Sequence, residues 1–511
     1  MAELLAALSL GIDLGFGQPM EHVLRQCRIA LRLCEVIGLD EEQRVAVYYS
    51  ALLVNVGCHT DAHEQAYWFG DDIALKSNKY DHEPYSVGDV AAMMRLLGSG
   101  GSPLHRVRVA FDFAISGRKE IDGMIEQHAQ LARALAQELG LPEDVLDAVG
   151  TSYERWDGKG WPGELAGDAI PLASRITQLA EFVEVAHRTG GIAAARAVAE
   201  RRSGKQFDPH LVGILDVDAE KVFHGIEELS SWDAVIDGEP ALAVVLSPND
   251  CDAALAAIAR FVDLKSPFTL GHSEAVAALA ASAGELLGLP TDEVEALARA
   301  ALVMGYGRLG VSNAIWDKPG PLTMSEWERV RLAPHLTERM LHQSESLSRL
   351  GRIAVQQRER LDGSGYPHGL SGPGITRAGR ILAAADVYQA MREPRPYRAA
   401  KSAEDAGREL RGEVRAGRLD AAAVDAVLSA AGHRVGRRRA GPAGLTAREV
   451  EVLGLLARGM SNKEIAARLV ITPKTAGNHV EHIYSKLGVS NRAGASLFAM
   501  QQGLLPEVSP A

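Results

Sequence analysis

One phrase occurs twice in this chain. Residues 153–167 read YERWDGKGWPGELAG and residues 358–372 read RERLDGSGYPHGLSG. A near-copy within one chain constrains the fold more than any composition does, because a repeated sequence folds to a repeated unit. Asp157 and Asp362 are 205 positions apart, as are Arg175 in IPLASRITQLAE and Arg380 in ITRAGRILAAAD. Upstream the spacing changes. His22 and His272 are 250 apart, and so are Gly57 in YYSALLVNVGC and Gly307 in ARAALVMGYGR. The first copy therefore carries about 45 extra residues, placed within residues 58–94. The copies also end alike, in GKQFDPHLVGIL (204–215) and GRLDAAAVDAVL (417–428).

Between these blocks the chain reads as helix. ALAVVLSPNDCDAALAAIARFVDL and EAVAALAASAGELLGLP are rich in Ala and Leu, carry apolar residues at helical spacing and stop at Gly-Leu-Pro. Alternating β-branched runs are scarce. The expected fold class is all-α: two tandem helical domains, residues 1–238 and 239–432, the first with its insertion at about 58–94. A Gly/Arg/Pro-rich linker at 433–444, HRVGRRRAGPAG, is expected to lead into a small helix-turn-helix domain at 445–505.

Other readings narrow the class. No run of about 18 apolar residues is present to span a bilayer. MAELLAALSLGIDLG carries an acid and no basic stretch, unlike a signal peptide. Cys27, Cys34, Cys58 and Cys251 form no framework and read as free thiols, so a cytoplasmic protein is expected. Residues 434–503 hold eleven Lys and Arg against four Asp and Glu, while the whole chain carries −12. An acidic body with a basic end points to nucleic acid at that end alone.

The second copy resembles an HD-GYP domain, the branch of the HD phosphohydrolases that cleaves cyclic di-GMP. The blocks LKSPFTLGHSEAVA, LGVSNAIWDKPGPLTMSEWE, ERLDGSGYPHGLSGPGI, GRILAAADVYQAM and RPYR run in family order, and Gly365, Tyr366 and Pro367 match the namesake tripeptide. The first copy resembles the same fold more loosely, with Gly160-Trp161-Pro162 at that place. The resemblance implies divalent ions, held by His and Asp, that activate water against a phosphodiester. Here the ligand places are altered. Met304-Gly305 stand for the His-Asp pair, Arg308 for the next Lys, Ala333 for the His before Pro334, and Gln357-Arg358 for a His-His pair. His272 and Asp386 alone remain of that ligand set. Methionine, glycine and alanine do not bind such ions, and Arg358 brings its own positive charge.

In the first copy Val54-Asn55 and Ser152-Tyr153 take the His-Asp and His-His places. His22, His128 and Glu181 are candidates for one divalent metal, and Cys58, His59, Asp61 and His63 are further candidates by residue type. The alternative is that these are helix-end and surface polar groups, and that His272 and Asp386 form a buried hydrogen-bonded pair. The resemblance also places the tripeptide loop and the RPYR segment near the nucleotide or a partner domain, so Gly365, Tyr366, Pro367, Arg395 and Arg398 are candidate ligand-binding residues, with guanidinium groups suited to phosphate. No catalytic residue is assigned.

Residues 444–505 resemble the LuxR/GerE-type helix-turn-helix over its full length. Thr446 and Glu449 form a capping-box pattern, Ser461 caps NKEIAARL, and Thr472 with Pro473 opens PKTAGNHVEHIYSKL. Ile465, Leu469, Val480, Ile483 and Leu487 are expected to be core. Lys474, Thr475, Asn478 and His479 share the face that enters the major groove in this motif. Lys463, Lys486 and Arg492 are expected at phosphates, and the cap Thr472 is a further candidate DNA-binding residue. Gly477 departs from the usual pattern and costs that helix about 1 kcal/mol relative to Ala.

Two functions follow. One is a DNA-binding transcriptional regulator, acting on double-stranded DNA as a homodimer, whose degenerate HD-type region senses a cyclic dinucleotide or other anion or mediates dimerisation. The other is a metal-dependent phosphohydrolase with an accessory DNA-binding domain. No cofactor is assigned beyond one candidate divalent ion in the first domain.

Overall fold

The computed structural model describes residues 1–80, 87–99, 103–227, 230–240, 245–433, 442–489, 491–502 and 504. Most of the expected linker, 434–441, and residues 81–86 of the insertion lie outside the described residues. The described chain is all-α, with isolated bridges in place of strands. It divides into two compact units, Met1–His433 and Arg434–Ala511.

The first unit holds both copies. In each, a helix that begins at the matched histidine packs on the next helix and on a later one. His22–Ile37 meets Glu41–Leu53 and Leu172–Arg202, and His272–Leu286 meets Thr291–Val303 and Arg377–Arg392. Cap residues set many of the starts. Asp40 and Thr323 close capping boxes with Gln43 and Glu326, and Thr376 and Ser402 accept from Gly379 and Asp405 amides. Both copies have a tight helix–turn crossing at matched positions that only glycine permits. A Cβ on Gly57 would lie 2.2 Å from the His128 carbonyl oxygen, and one on Gly307 would lie 1.9 Å from that of Ala333. These crossings seat helices Arg118–Glu138 and Met324–Leu341 against the short turns Val56–His59 and Tyr306–Gly310. The partners are 71 positions apart in the first copy and 26 in the second, which puts the 45 surplus residues between Gly57 and His128.

The doubled phrase has a structural task in both copies. Glu154 is buried, and its Oε1 accepts the amides of Gly163, Glu164 and Leu165 at 2.9–3.2 Å. Glu359, equally buried, accepts the amides of His368 and Leu370, both at 2.8 Å. A Cβ on Gly160 or Gly365 would strike the backbone beside that glutamate at 2.4–2.6 Å. The phrase thus ties its loop to a carboxylate whether or not any reaction occurs there.

The two copies are locked together. The N-terminal helix Ala2–Gly15 packs on Tyr306–Gly310 and Met324–Leu341 of the second copy. Asp72, supplied by the insertion, is fully buried. Its Oδ1 accepts from the Ser312 hydroxyl (2.7 Å) and the Asn313 amide (2.8 Å), and its Oδ2 faces the ammonium groups of Lys76 (3.2 Å) and Lys265 (3.4 Å). His59 is buried in the same joint and donates from Nε2 to the Phe261 carbonyl at 2.7 Å.

Burial pushes the His59 imidazole down to about 3. Unfolded chain protonates it near pH 6.5. The folded pKa is depressed, so the contribution is fully present above about pH 6.5 and is lost progressively as pH falls towards 3. Between pH 7 and 5 that amounts to about 2 kcal/mol. Denaturant unfolding of wild type should weaken by about this much more than that of His59→Gln, whose amide still donates to Phe261. Identical losses in the two proteins would refute the assignment.

Candidate functional site

In the first copy the site lies among His22, Asn55, Cys58, His128, Tyr153 and Glu181. The insertion feeds a cation into it. The Lys79 ammonium donates to Glu181 Oε1 (2.6 Å) and Asn55 Oδ1 (3.0 Å), while Asn55 Nδ2 and the Tyr80 hydroxyl donate to the same Glu181 oxygen, each at 2.9 Å. The ammonium also sits 5.5–5.8 Å from the ring centres of Phe16, Tyr80, Tyr153 and Phe182. Burial alone would raise the Glu181 carboxyl, but Lys79 and Asn55 hold it below its usual range. His22 turns away, with Nδ1 on Glu184 Oε2 and Nε2 3.2 Å from the Tyr80 hydroxyl. Burial opposes ionisation of Glu184 too, yet His22 and Arg25 bring its carboxyl down to about 2.

His128 belongs to a separate cluster. Its Nε2 donates to Asp61 Oδ2 at 2.6 Å, its ring adjoins Cys58, and the Tyr153 hydroxyl lies 2.8 Å from Cys58 Sγ. Burial disfavours the imidazolium, but Cys58 and Asp61 push its pKa up to about 9; burial likewise disfavours the Cys58 thiolate, and His128 outweighs it.

The three candidate metal ligands are thus divided between neighbours: His22 with Glu184, His128 with Asp61 and Cys58, Glu181 with Lys79. Among the described residues no three His, Cys, Asp or Glu side chains converge as a metal site. The ammonium of Lys79 supplies the positive charge that Glu181 would otherwise draw from an ion, so the residues as arranged do not fit a divalent metal. His59 and His63 are also committed, to the Phe261 carbonyl and to Asp317 Oδ2 (2.8 Å).

The second copy repeats the substitution with guanidinium groups. His272 and Asp386 are brought together, Nε2 to Oδ1 at 3.1 Å, and His272 Nδ1 meets Glu393 Oε2 at 2.9 Å. Arg358 Nη1 stands 3.3 Å from Asp386 Oδ2. Burial would raise the Asp386 carboxyl; Arg358 and His272 reverse this and hold it well below its usual range. Gln357, in place of a histidine, donates to the Met304 carbonyl at 2.9 Å. Gln357 and Arg358 thus add no metal-binding group beside His272 and Asp386.

Beside this cluster is a cavity of about 540 Å³. Arg308, Arg358 and Arg395 reach it, together with Trp316, Trp327 and Tyr366. The Arg308 guanidinium lies 5.4 Å from the Trp316 ring centre and has no hydrogen-bond acceptor among the described residues. Burial, then the charges of Arg358 and Arg395, lower its pKa. Of the candidate ligand-binding residues, Tyr366 lines this cavity, whereas Gly365 serves the crossing on Glu359. Pro367 follows Tyr366 in the tied loop. Arg395 is bonded to Glu393 (2.8 Å) and the Phe268 carbonyl, and Arg398 is turned to carbonyls of Ala390, Met391, Glu393 and Ala399. Arg308 and Arg358 are therefore the less committed cations. Both arginines are visible in the sequence, but that they line one cavity with Trp316 is visible only in the fold.

The second unit is a compact helical module of Ala447–Ala457, Asn462–Leu469, Pro473–Leu487 and Arg492–Gln501. Capping boxes form at Thr446–Glu449 and Ser461–Glu464, and Thr472 Oγ1 accepts the Thr475 amide. Ile465, Ala476, Val480 and Ile483 join its core, with Leu469 and Leu487 packed at its edge. Lys474, Thr475 and Asn478 are exposed on helix Pro473–Leu487, and His479 is half-buried. Lys463 is exposed. Lys486 and Arg492 have structural partners: Lys486 pairs with Glu449 at 2.6 Å, and Arg492 donates to the carbonyls of Leu456 (3.2 Å) and Met460, where helix Ala447–Ala457 ends.

Comparison with known proteins matches residues 119–211 and 256–423 to the HD domain, and residues 443–499 to bacterial regulatory proteins of the luxR family. The chain is 32% identical over 404 residues to the 3'3'-cGAMP-specific phosphodiesterase 3 of Vibrio cholerae, covering 78% of this chain and 88% of that protein. It is 34% identical over 177 residues to the cyclic di-GMP phosphodiesterase response regulator RpfG of Xanthomonas campestris, covering 34% of this chain and 46% of that one. A crystal structure of a cyclic GMP-AMP-specific phosphodiesterase of V. cholerae superposes with a TM-score of 0.58 at 29% identity, covering 84% of this chain and 97% of that one.

Proposed function

The chain belongs to the HD-domain family and ends in a luxR-family regulatory domain, and from that premise we propose a DNA-binding transcriptional regulator whose second HD copy binds a cyclic dinucleotide without cleaving it. One observation carries the ligand: the Arg308 guanidinium, stacked on Trp316 beside Arg358 and without an acceptor, in a cavity of about 540 Å³. Two phosphates and two purines match guanidinium groups and aromatic faces. Cleavage is not part of the proposal, because Arg358 occupies the surroundings of Asp386 and Met304, Gly305 and Ala333 offer no ligand atom. The relatives' printed activities concern cyclic dinucleotides and set the ligand class.

For DNA, Lys474, Thr475 and Asn478 form the exposed reading face. Asn478 suits adenine and Lys474 suits guanine or phosphate. Two chains would present two such helices to a palindromic site.

Purified full-length protein should bind 3'3'-cyclic GMP-AMP saturably and return it intact in the presence of manganese. Arg308→Ala should weaken that binding by about tenfold to 100-fold, the scale of one charge-assisted hydrogen bond. Asn478→Ala should weaken a selected operator by about fivefold to 100-fold with little effect on random DNA. Metal-dependent turnover would favour the phosphohydrolase reading instead, and operator binding indifferent to both Lys474→Ala and Asn478→Ala would reject the reading face.

A further inference from the structure

Helix Pro103–Asp112, with the turn Phe113–Gly117 that continues it, is apolar on two opposite faces. It lies between Gly57 and His128, in the stretch that holds the surplus residues of the first copy. One face is satisfied within the chain. Val109 is fully buried, and Ala110 and Phe113 pack with it against Trp68, Phe69 and Leu97. The opposite face carries Leu104, Val107, Phe111 and Ile115, whose spacings of 3, 4 and 4 place them in one stripe. These four are 83%, 70%, 67% and 73% exposed. A helix on the surface of a monomer needs one apolar face; a second one, open to water, marks a site of association.

The register of the helix selects what covers it. Leu104 and Ile115, Val107 and Phe111, and Arg108 and Asp112 are three pairs of positions that each flank residues 109–110. Two copies of the helix, laid antiparallel about a two-fold axis at that point, set Leu104 of each against Ile115 of the other and Val107 against Phe111. The same placement brings Arg108 of each copy to Asp112 of the other. Both charges lie on one flank of the stripe. Arg108 is 79% exposed and approaches Asp112 of its own helix no closer than 3.8 Å. Two faces, each of about 600 Å² and at the upper end of what a monomer exposes, together reach the ~1,200 Å² at which stable interfaces begin. A lipid surface would gain from the apolar stripe but not from a register that matches opposite charges.

We infer that this face joins two copies of the chain, the helices running antiparallel about residues 109–110, with Leu104, Val107, Phe111 and Ile115 at the centre and Arg108 and Asp112 at the rim. The inference rests on the reading of the protein as a regulator that meets a palindromic site as two chains, and gives that pairing its place in the first HD copy.

The test follows self-association of the full-length protein by sedimentation equilibrium. Wild type should dimerise with a dissociation constant below about 10 µM. Phe111→Glu should weaken dimerisation by at least about 100-fold and leave the helical circular dichroism unchanged, because the ring is exposed in the single chain. Arg108→Asp and Asp112→Arg should each weaken self-association by about tenfold, since each sets like charges opposite one another. Mixed in equal amounts, these two variants should pair with each other at close to wild-type strength, a result that an ion pair within one helix does not produce. The mixing decides the matter if Phe111→Glu does not fold. Wild type that stays monomeric at about 50 µM, a dimer that withstands Phe111→Glu, or no recovery on mixing would overturn the inference. So would monomeric wild type that floats with anionic vesicles, which would assign the face to a lipid surface. Operator DNA is titrated into the same samples. A dimer lost in Phe111→Glu, in a protein that binds no DNA, would uphold this inference and reject the regulator. Operator binding by a dimer indifferent to Phe111→Glu would reject this inference alone.

Discussion

Asp72→Ala is expected to destabilise the N-terminal unit by about 3–5 kcal/mol, the scale on which a buried ion pair fails when one partner is removed. The reason is what remains behind. Lys76 and Lys265 are both buried, and Asp72 is the carboxylate that faces both. Ser312 and the Asn313 amide would lose their acceptor as well. Burial alone would raise the Asp72 carboxyl, but Lys265 and Lys76 hold it far below its usual range. A depressed folded pKa makes this contribution fully present above about pH 4 and lost only as pH falls through the lowered value. Denaturant midpoints at pH 7 would measure the loss. Replacing Lys76 and Lys265 by Met in the Asp72→Ala background should recover part of it, since apolar groups of similar volume tolerate burial. An Asp72→Ala protein within about 1 kcal/mol of wild type would mean that this joint does not hold the two copies together.

Gly307→Ala is expected to cost at least about 3 kcal/mol, at the upper end of overpacking penalties. The added methyl would meet backbone on two sides, 1.9 Å from the Ala333 carbonyl oxygen and 2.7 Å from the Thr337 amide nitrogen. Backbone atoms of a helix cannot rotate aside as a side chain can, so the turn Tyr306–Gly310 must lift from helix Met324–Leu341. That lift would also break the bond from the Gly307 amide to the Thr337 hydroxyl at 2.9 Å. The N-terminal helix packs on the same turn, so the damage should spread to the joint between copies. Thermal unfolding would register it, and Gly320→Ala, where an added Cβ meets nothing within 4 Å, provides the control. Equal melting of the two variants would refute the close crossing.

Local pattern accounts for the helices, the duplication, the 45-residue surplus and the caps at Thr446, Ser461 and Thr472. Each depends on residues close in sequence, or on a comparison of one copy with the other, and neither requires knowledge of packing. That Met304, Gly305 and Ala333 offer a cation no ligand atom was legible for the same reason, since it holds wherever they lie. The partners that side chains choose were not legible. Lys79, Tyr80 and Asp72 lie in a segment with no counterpart in the second copy, so no comparison singled them out. His22, His128 and Glu181 looked alike as ligands, yet each has a different neighbour in the fold. Arg395 and Arg398 looked available for phosphate, whereas the folded chain commits them to Glu393 and to backbone carbonyls and leaves Arg308 without an acceptor among the described residues. Residue type states what a group is able to bind. Which group it meets is set by the fold, in many cases by contacts between residues far apart in sequence, such as Lys79 with Glu181 and Asp72 with Ser312, and those exist only once the helices have packed.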